Sequence, residues 1–280
     1  MKSIDLSTRA KFRLSGSDRV RYLNGQVSND VTKAGGDCAI SACVTNVKGG
    51  LEALVWITVE AGGEAFLIDT DAALREVFFQ RLSKYIIADD VQLEDITEEY
   101  LLIHDLDHGD GAMASDRYAM PGNDRWVIPG DLPAGTDWMS VSDAEVLRVE
   151  RGVPCWGNEL TPGILPAEAM LDRRSVDFHK GCYVGQEVIS RIQSVGRIRR
   201  SLVALAFSGG CPQPGWCLMD AAGEKAGEVT SVVESSPGTL IGLGYAKCDL
   251  TVAKAVCADN DLSCTATSRS SAFAGRDCGT

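Results

Sequence analysis

The reading turns on His179-Lys180-Gly181-Cys182-Tyr183-Val184-Gly185-Gln186-Glu187, followed by Val188, Ile189 and Ile192 at helical spacing. A base, a thiol, a phenol, an amide and a carboxylate stand among two glycines, just ahead of an apolar helix face. Gly181 permits close backbone approach, and Gly185 can open the helix with its first amides free for an anion. A thiol beside Lys180 and near a helix start suits a reactive or metal-binding cysteine. The same letters also suit a tight turn whose cysteine only packs, and composition leaves both readings open.

Upstream, Pro154, Pro162, Gly163 and Pro166 break residues 153–182 repeatedly. Such a stretch reads as a long ordered loop, more often functional than idle. Before it, Ser142-x-x-Glu145 forms a capping box for a helix through Val146, Leu147 and Val149, ending at Gly152. Earlier still, LEALVWITV (51–59) and EAFLID (64–69) flank Gly62-Gly63 as a hairpin. DAALREVFFQRLSKY then places Leu74, Val77, Phe78, Leu82 and Tyr85 on one helix face, capped by Asp69, Thr70 or Asp71. VQLEDI (91–96) alternates as a strand, residues 104–116 read as an Asp- and Gly-rich loop, and WVIP (126–129) is a short strand. Helices between strands predict an α+β layer.

Downstream, Arg191, Arg197, Arg199 and Arg200 gather four guanidinium groups in ten residues, as an anion site or a solvated basic turn. Beyond residue 200, LVALAF, GEVTSVV, LIGLGYA and TVAKAVCA are short strands between Gly/Pro turns, predicting a small β-barrel or sandwich.

Composition limits the function classes. The 280 residues are 45% apolar and 24% charged, an ordinary globular balance. No apolar run reaches the roughly 18 residues of a membrane helix. Against 27 Lys+Arg stand 39 Asp+Glu, a net charge of −12, which disfavours a broad grip on nucleic acid. The first residues lack an apolar signal-peptide core, so a reducing, cytoplasmic compartment is expected. Ten cysteines form no C-x-x-C, and Cys38/Cys43, Cys211/Cys217 and Cys257/Cys264 fit no zinc template. They are expected to be small buried hydrophobes, and no metal centre is assigned. His104-Asp105-x-Asp107-His108 reads as a solvated acidic loop rather than a ligand set. Phosphate loops, dinucleotide fingerprints and hydrolase elbows are missing from the sequence.

Lys180-Gly181-Cys182-Tyr183-x-Gly185-Gln186-Glu187 resembles the K-G-C-[FY]-x-G-Q-E motif of YgfZ-type folate-binding proteins. These are relatives of the glycine-cleavage T-protein, an aminomethyltransferase, and of the mitochondrial iron–sulfur assembly factors. Residues 21–31, RYLNGQVSNDV, resemble the family's FLQGQVTNDV segment, and Asn46-Val47-Lys48-Gly49-Gly50 its N-x-K-G turn. Arg148-Val149-Glu150-Arg151-Gly152-Val153-Pro154 is similar to R-x-E-x-G-I-P, Glu159-Leu160 to E-L, and Pro166-Ala167-Glu168 to P-x-E. The matches keep their order over residues 18–200.

The resemblance implies an α+β fold: a ring of ferredoxin-like subdomains around a central channel, followed by a small C-terminal β-barrel. It implies a folate-binding region over 1–196, the barrel over 197–267 and a flexible tail over 268–280. Tetrahydrofolate, or a one-carbon derivative, is the implied cofactor. Glu150 and Glu168 would accept from the pterin N–H groups. Asn29 and Asn46 would line the same pocket, and Arg191, or less directly Arg197 or Arg199, would take the glutamate tail. Lys180 and Cys182, with Tyr183, Gln186 and Glu187, would form the functional motif of the iron–sulfur-linked branch.

One departure separates the branches. T-proteins carry a paired acid, as in GGIIDDL, where this chain has Ala53 and Leu54; Glu52 is one step out of register. Aminomethyl transfer is therefore disfavoured. The expected function is a cytoplasmic, monomeric, tetrahydrofolate-binding accessory protein for iron–sulfur clusters in client enzymes. Those clients would include a radical-SAM enzyme that methylthiolates tRNA. The alternative is a tetrahydrofolate-dependent aminomethyltransferase or other one-carbon transferase.

Overall fold

The computed structural model describes residues 2–106, 113–196, 198–248, 250, 252–256 and 263–268. The chain forms two compact units, neither continuous in sequence. The first holds residues 1–140, 162–166 and 171–195, the second 141–161, 167–170 and 196–280. Asp107, His108, Arg197 and residues 269–280 lie outside the described residues, so the tail and part of the acidic cluster carry no structural account.

In the first unit the strands are β1 (Lys2–Asp5), β2 (Ala10–Ser15), β3 (Ile40–Thr45), β4 (Leu51–Val59) and β5 (Ala65–Thr70). They continue as β6 (Gln92–Asp95), β7 (Leu101–Asp105), β8 (Met113–Ser115), β9 (Gly122–Val127) and β10 (Asp137–Trp138). They build two five-stranded sheets, ordered β3-β4-β5-β2-β6 and β10-β1-β7-β9-β8. The unit's helices are α1 (Arg19–Gln26), α2 (Arg75–Ser83) and, after α3 (Val141–Glu150) of the second unit, α4 (Gln186–Ser194).

Cross-strand register puts Ile57, Ile68 and Phe12 in one row, and the Phe78 ring of α2 lies 5.0 Å from that of Phe12. Leu74, Phe78 and Leu82 form the buried stripe of α2, with Asp71 accepting from the Ala73 amide as the cap. Val77 and Tyr85, expected on that face, point outward instead. Tyr85 carries the Arg81 guanidinium over its ring at 4.4 Å. The opposite face of this sheet is polar, because Trp56 and Asp69 face each other across β4 and β5.

There the expected acidic loop proves to be something else. His104 and Asp105 belong to β7, and His104 is fully buried. Its Nδ1 lies 2.8 Å from Asp124 Oδ1. Asp124 also accepts from Arg117, whose other nitrogens reach Asp69, and Asp69 accepts from Arg9 as well. Alternating charges in a place water cannot reach satisfy one another across the two sheets. A strand with both faces covered has no reason to display its short polar residues, which explains the misreading.

The second unit joins α3 to a closed barrel, ordered β11-β14-β13-β12-β15-β16. These strands are β11 (Arg200–Ser208), β12 (Cys217–Met219), β13 (Lys225–Ser236), β14 (Thr239–Lys247), β15 (Val252–Val256) and β16 (Ser263–Ser268). Leu205, Trp216, Leu218 and Val229 fill the barrel. Arg148 of α3 donates to Glu145, Glu159, Ser231 Oγ and the Val153 carbonyl. Glu159 accepts in turn from Thr230, Ser231 and the Cys155 amide. The R-x-E and E-L segments therefore hold α3 on β13 of the barrel.

Candidate functional site

The site grows from the β3–β4 hairpin. Asn46 Oδ1 accepts from the Lys48 and Gly50 amides and shapes a tight turn. Gly185, with φ +87°, sits on that turn: a Cβ there would lie 2.5 Å from the Asn46 carbonyl oxygen and 2.8 Å from Thr45 Oγ1. Only glycine fits this backbone and this approach. Gly185 is the N-cap of α4, as the spacing predicts. Beside it, the Val184 carbonyl accepts from Thr45 Oγ1 at 2.6 Å, and its amide donates to the Gly25 carbonyl. Tyr183 is buried with Val176, Ile189 and Phe178, and burial pushes its phenol up to about 12.

At the other end stands Lys180. Its ammonium donates to the carbonyls of Asn24, Val27 and Asn29 at 2.7, 2.8 and 2.7 Å. All three N–H groups are thereby used on the C-terminal end of α1 and the segment after it, where helix carbonyls lack partners of their own. Burial lowers its pKa to about 8, against the opposing pull of Asp30 and Asp177. Between Lys180 and Tyr183, Gly181 and the Cys182 side chain are exposed. The motif is thus an anchored turn displaying one thiol. Gln186 is half-buried, and Glu187 is exposed and paired with Arg191 at 3.0 Å. Among the described residues no group of three His, Cys, Asp or Glu side chains could hold a metal ion.

The proposed folate contacts divide between the units. Asn29, Asn46 and Arg191 lie in the first, Glu150 and Glu168 in the second. Asn29 is buried, its Nδ2 donating to the Ser41 and Arg174 carbonyls and its Oδ1 accepting from the Asp30 amide. Asn29 thus spends both ends of its amide on the backbone, and Asn46 its Oδ1. Glu150, at the last position of α3, is half-buried and makes no side-chain bond among the described residues. Glu168 pairs with Arg200 at 3.2 Å, and its carbonyl accepts from the Leu202 amide. As carboxylate acceptors, Glu150 and Glu168 suit the N–H edge of a pterin. Arg199 is exposed, and Arg200 stacks on Tyr245 at 4.9 Å. Glu52 is held at 2.7 Å by Arg81, which also donates to Gln26 Oε1.

Several partners escape sequence reasoning. The acceptors for Lys180 are main-chain carbonyls, which no side-chain pattern encodes. Ser28, Ser41 and Ser175 lock residues 174–177 to β3 through bonds of 2.5 to 2.8 Å. Each of the three serines stands singly among larger, apolar or charged neighbours, so no local pattern marks it.

Comparison with known proteins adds the following. No protein-family profile matches the chain. It is 27% identical over 74% of its length to an iron–sulfur cluster assembly factor IBA57 homolog, mitochondrial, of Mycosarcoma maydis, covering 57% of that protein. It is 26% identical to the tRNA-modifying protein YgfZ of Cronobacter sakazakii, over 85% of this chain and 82% of that one. An aminomethyltransferase of Rubrobacter xylanophilus is 27% identical over 86% and 74% of the two chains. The chain spans 57% to 65% of the length of three curated relatives it matches. Among solved structures, the aminomethyltransferase T of the Bartonella henselae glycine cleavage system superposes with a TM-score of 0.83. That match covers 97% of this chain and 86% of the other at 17% identity, a likeness of fold.

Proposed function

We propose, from the chain's membership of the YgfZ/IBA57-type part of the aminomethyltransferase-like superfamily, that it supports iron–sulfur cluster assembly or tRNA modification. In the finer reading it binds tetrahydrofolate and serves, as a cytoplasmic monomer, the cluster enzymes that are its clients. A tRNA-methylthiolating radical-SAM enzyme is one such client.

The observation that carries this reading is the anchored turn. Lys180 and Tyr183 are fixed on either side of an exposed Cys182. A thiol presented this way can meet a cluster or a thiol on another protein with little loss of chain entropy. Lys180 acts here by holding the turn. Cys182, lacking a ligand set of its own among the described residues, acts with groups the client supplies.

Glu150 and Glu168 would hold the pterin N–H groups, and Arg191 the glutamate tail. Tetrahydrofolate, when bound, supplies a carrier for a one-carbon unit. The one-carbon transferase alternative is weakened by Ala53 and Leu54, and by the engagement of Glu52 with Arg81.

Two measurements test the reading. Anaerobic calorimetry with tetrahydrofolate is expected to give micromolar binding, about −8 kcal/mol, weakened sharply in Glu150→Ala and Glu168→Ala. A folded wild type that binds nothing rejects the folate. Separately, Cys182→Ser is expected to fold normally and fail to restore a cluster-dependent enzyme in cells lacking this protein. Full restoration rejects the role of the thiol.

A further inference from the structure

In the buried ion network of the first unit, carboxylates and guanidinium groups account for one another. Arg117 donates to Asp69 and Asp124, and Arg9 to Asp69, so two cations meet two anions. His104 adds no charge to that balance. Asp124, an ionised carboxylate beside Arg117, can only accept, so the imidazole proton sits on Nδ1, 2.8 Å from it. Nε2 is left as a lone-pair acceptor. It is fully buried and has no hydrogen-bond partner among the described residues. Ser115 Oγ is in the same state, its residue only 5% exposed.

The register brings these two atoms to one place. Asp124 of β9 stands opposite His104 of β7, and Gly122 of β9 opposite Ser115 of β8. Gly122 and Asp124, two apart along β9, share a face, so His104 and Ser115 share it too. The imidazole leans onto Gly122: a Cβ there would lie 2.6 Å from Nε2 and 2.7 Å from the Asp105 carbonyl oxygen. That same point is about 5 Å from Ser115 Cβ, the usual separation of opposed residues. Three polar atoms therefore surround a position that a bare glycine leaves open. Nε2 and Oγ are too far apart to bond directly, but one bridging oxygen spans up to about 5.6 Å. A buried acceptor and a buried hydroxyl left unpaired each cost free energy. A single water, with two O–H donors and a lone pair to offer, matches an imidazole nitrogen, a carbonyl and a serine hydroxyl.

We propose that His104 Nε2, the Asp105 carbonyl and Ser115 Oγ form a binding site for one internal water molecule over Gly122. The water donates to the imidazole and the carbonyl and accepts from the serine, so hydrogen bonds run unbroken from Asp124 through His104 to Ser115. The site lies within the first unit and is independent of whether tetrahydrofolate is the chain's ligand.

The test follows magnetisation transfer from solvent water to the Gly122 Cα protons in the full, isotope-labelled chain, with Ser115→Ala and Ser115→Val beside the wild type. Transfer with the sign of a long-lived bound water is expected in the wild type. It is expected to persist in Ser115→Ala, where no hydroxyl remains to relay it, and to vanish in Ser115→Val, whose methyl groups fill the space. Stability gives the second readout. In a dry site, valine on a strand replaces an unpaired hydroxyl with apolar contact and holds or raises the melting temperature. Expelling a water that serves Nε2 leaves that nitrogen bare, so Ser115→Val is expected to melt about 2–4 °C below wild type, and Ser115→Ala to fall less. Absence of transfer in the wild type, transfer that survives Ser115→Val, or a Ser115→Val chain melting at or above wild type overturns the proposal.

Discussion

Replacing Lys180 by Met tests whether the motif lysine holds the turn. Its ammonium satisfies three carbonyls, and hydrogen bonds from a charged donor contribute roughly 1.5 kcal/mol each, about 4–5 kcal/mol together. Desolvation offsets part of this. The fall in pKa from 10.5 to about 8 corresponds to about 3.4 kcal/mol, which solvent screening of a half-buried group reduces to roughly 1.5–2 kcal/mol. Lys180→Met is therefore expected to cost about 2–3 kcal/mol at pH 7, read from urea unfolding and from faster amide exchange around residues 24–30.

The pH dependence supplies a second readout. Between pH 8 and 10.5 the unfolded chain binds more protons at Lys180 than the folded one, so this group makes wild-type stability rise with pH. The variant lacks that term, and its deficit should widen by roughly 1.5–2 kcal/mol across the window. A deficit under about 1 kcal/mol at pH 7, or one that stays flat or narrows above pH 8, refutes the clamp.

Other perturbations test the remaining contacts. Gly185→Ala places a Cβ 2.5 Å from the Asn46 carbonyl at a left-handed backbone, and is expected to cost about 3 kcal/mol or more in urea unfolding; a midpoint near wild type would show that the turn yields. Arg117→Met leaves Asp69 and Asp124 facing each other in a water-poor interior, at about 3–5 kcal/mol; an unchanged melting temperature contradicts the network. Burial alone would push Asp124 up, but Arg117 and His104 outweigh it and hold the carboxyl below 3.8. Its contribution is accordingly present above about pH 4 and lost as pH falls through the folded value, so Arg117→Met should flatten the acid limb of the stability curve. In the second unit, Glu159→Gln removes the charge that receives Arg148, Thr230 and Ser231 and should lower stability by about 2 kcal/mol; a neutral effect shows the network to be replaceable.

Much of this protein was legible from local pattern. The period-2 and helical runs mark β4, β5 and α2, because alternation and the 3.6-residue repeat follow from backbone geometry alone. Gly185 announces its turn, since a residue without a Cβ is needed wherever the backbone turns left-handed against another segment. The linear motif also marks Lys180–Glu187 as the place to look, and Ala53 and Leu54 mark the missing acid.

What only the tertiary structure decided is how side chains are spent. Lys180 reads as a chemical group in the sequence, but folding brings three orphan carbonyls of residues 24–29 to it and makes it a clamp. Asn29 and Asn46 read as pocket-lining amides, yet each is used by nearby backbone. His104 reads as solvated, and two sheets close over it. Whether a polar group is satisfied depends on partners far away in the chain, and that matching is settled only when the elements pack.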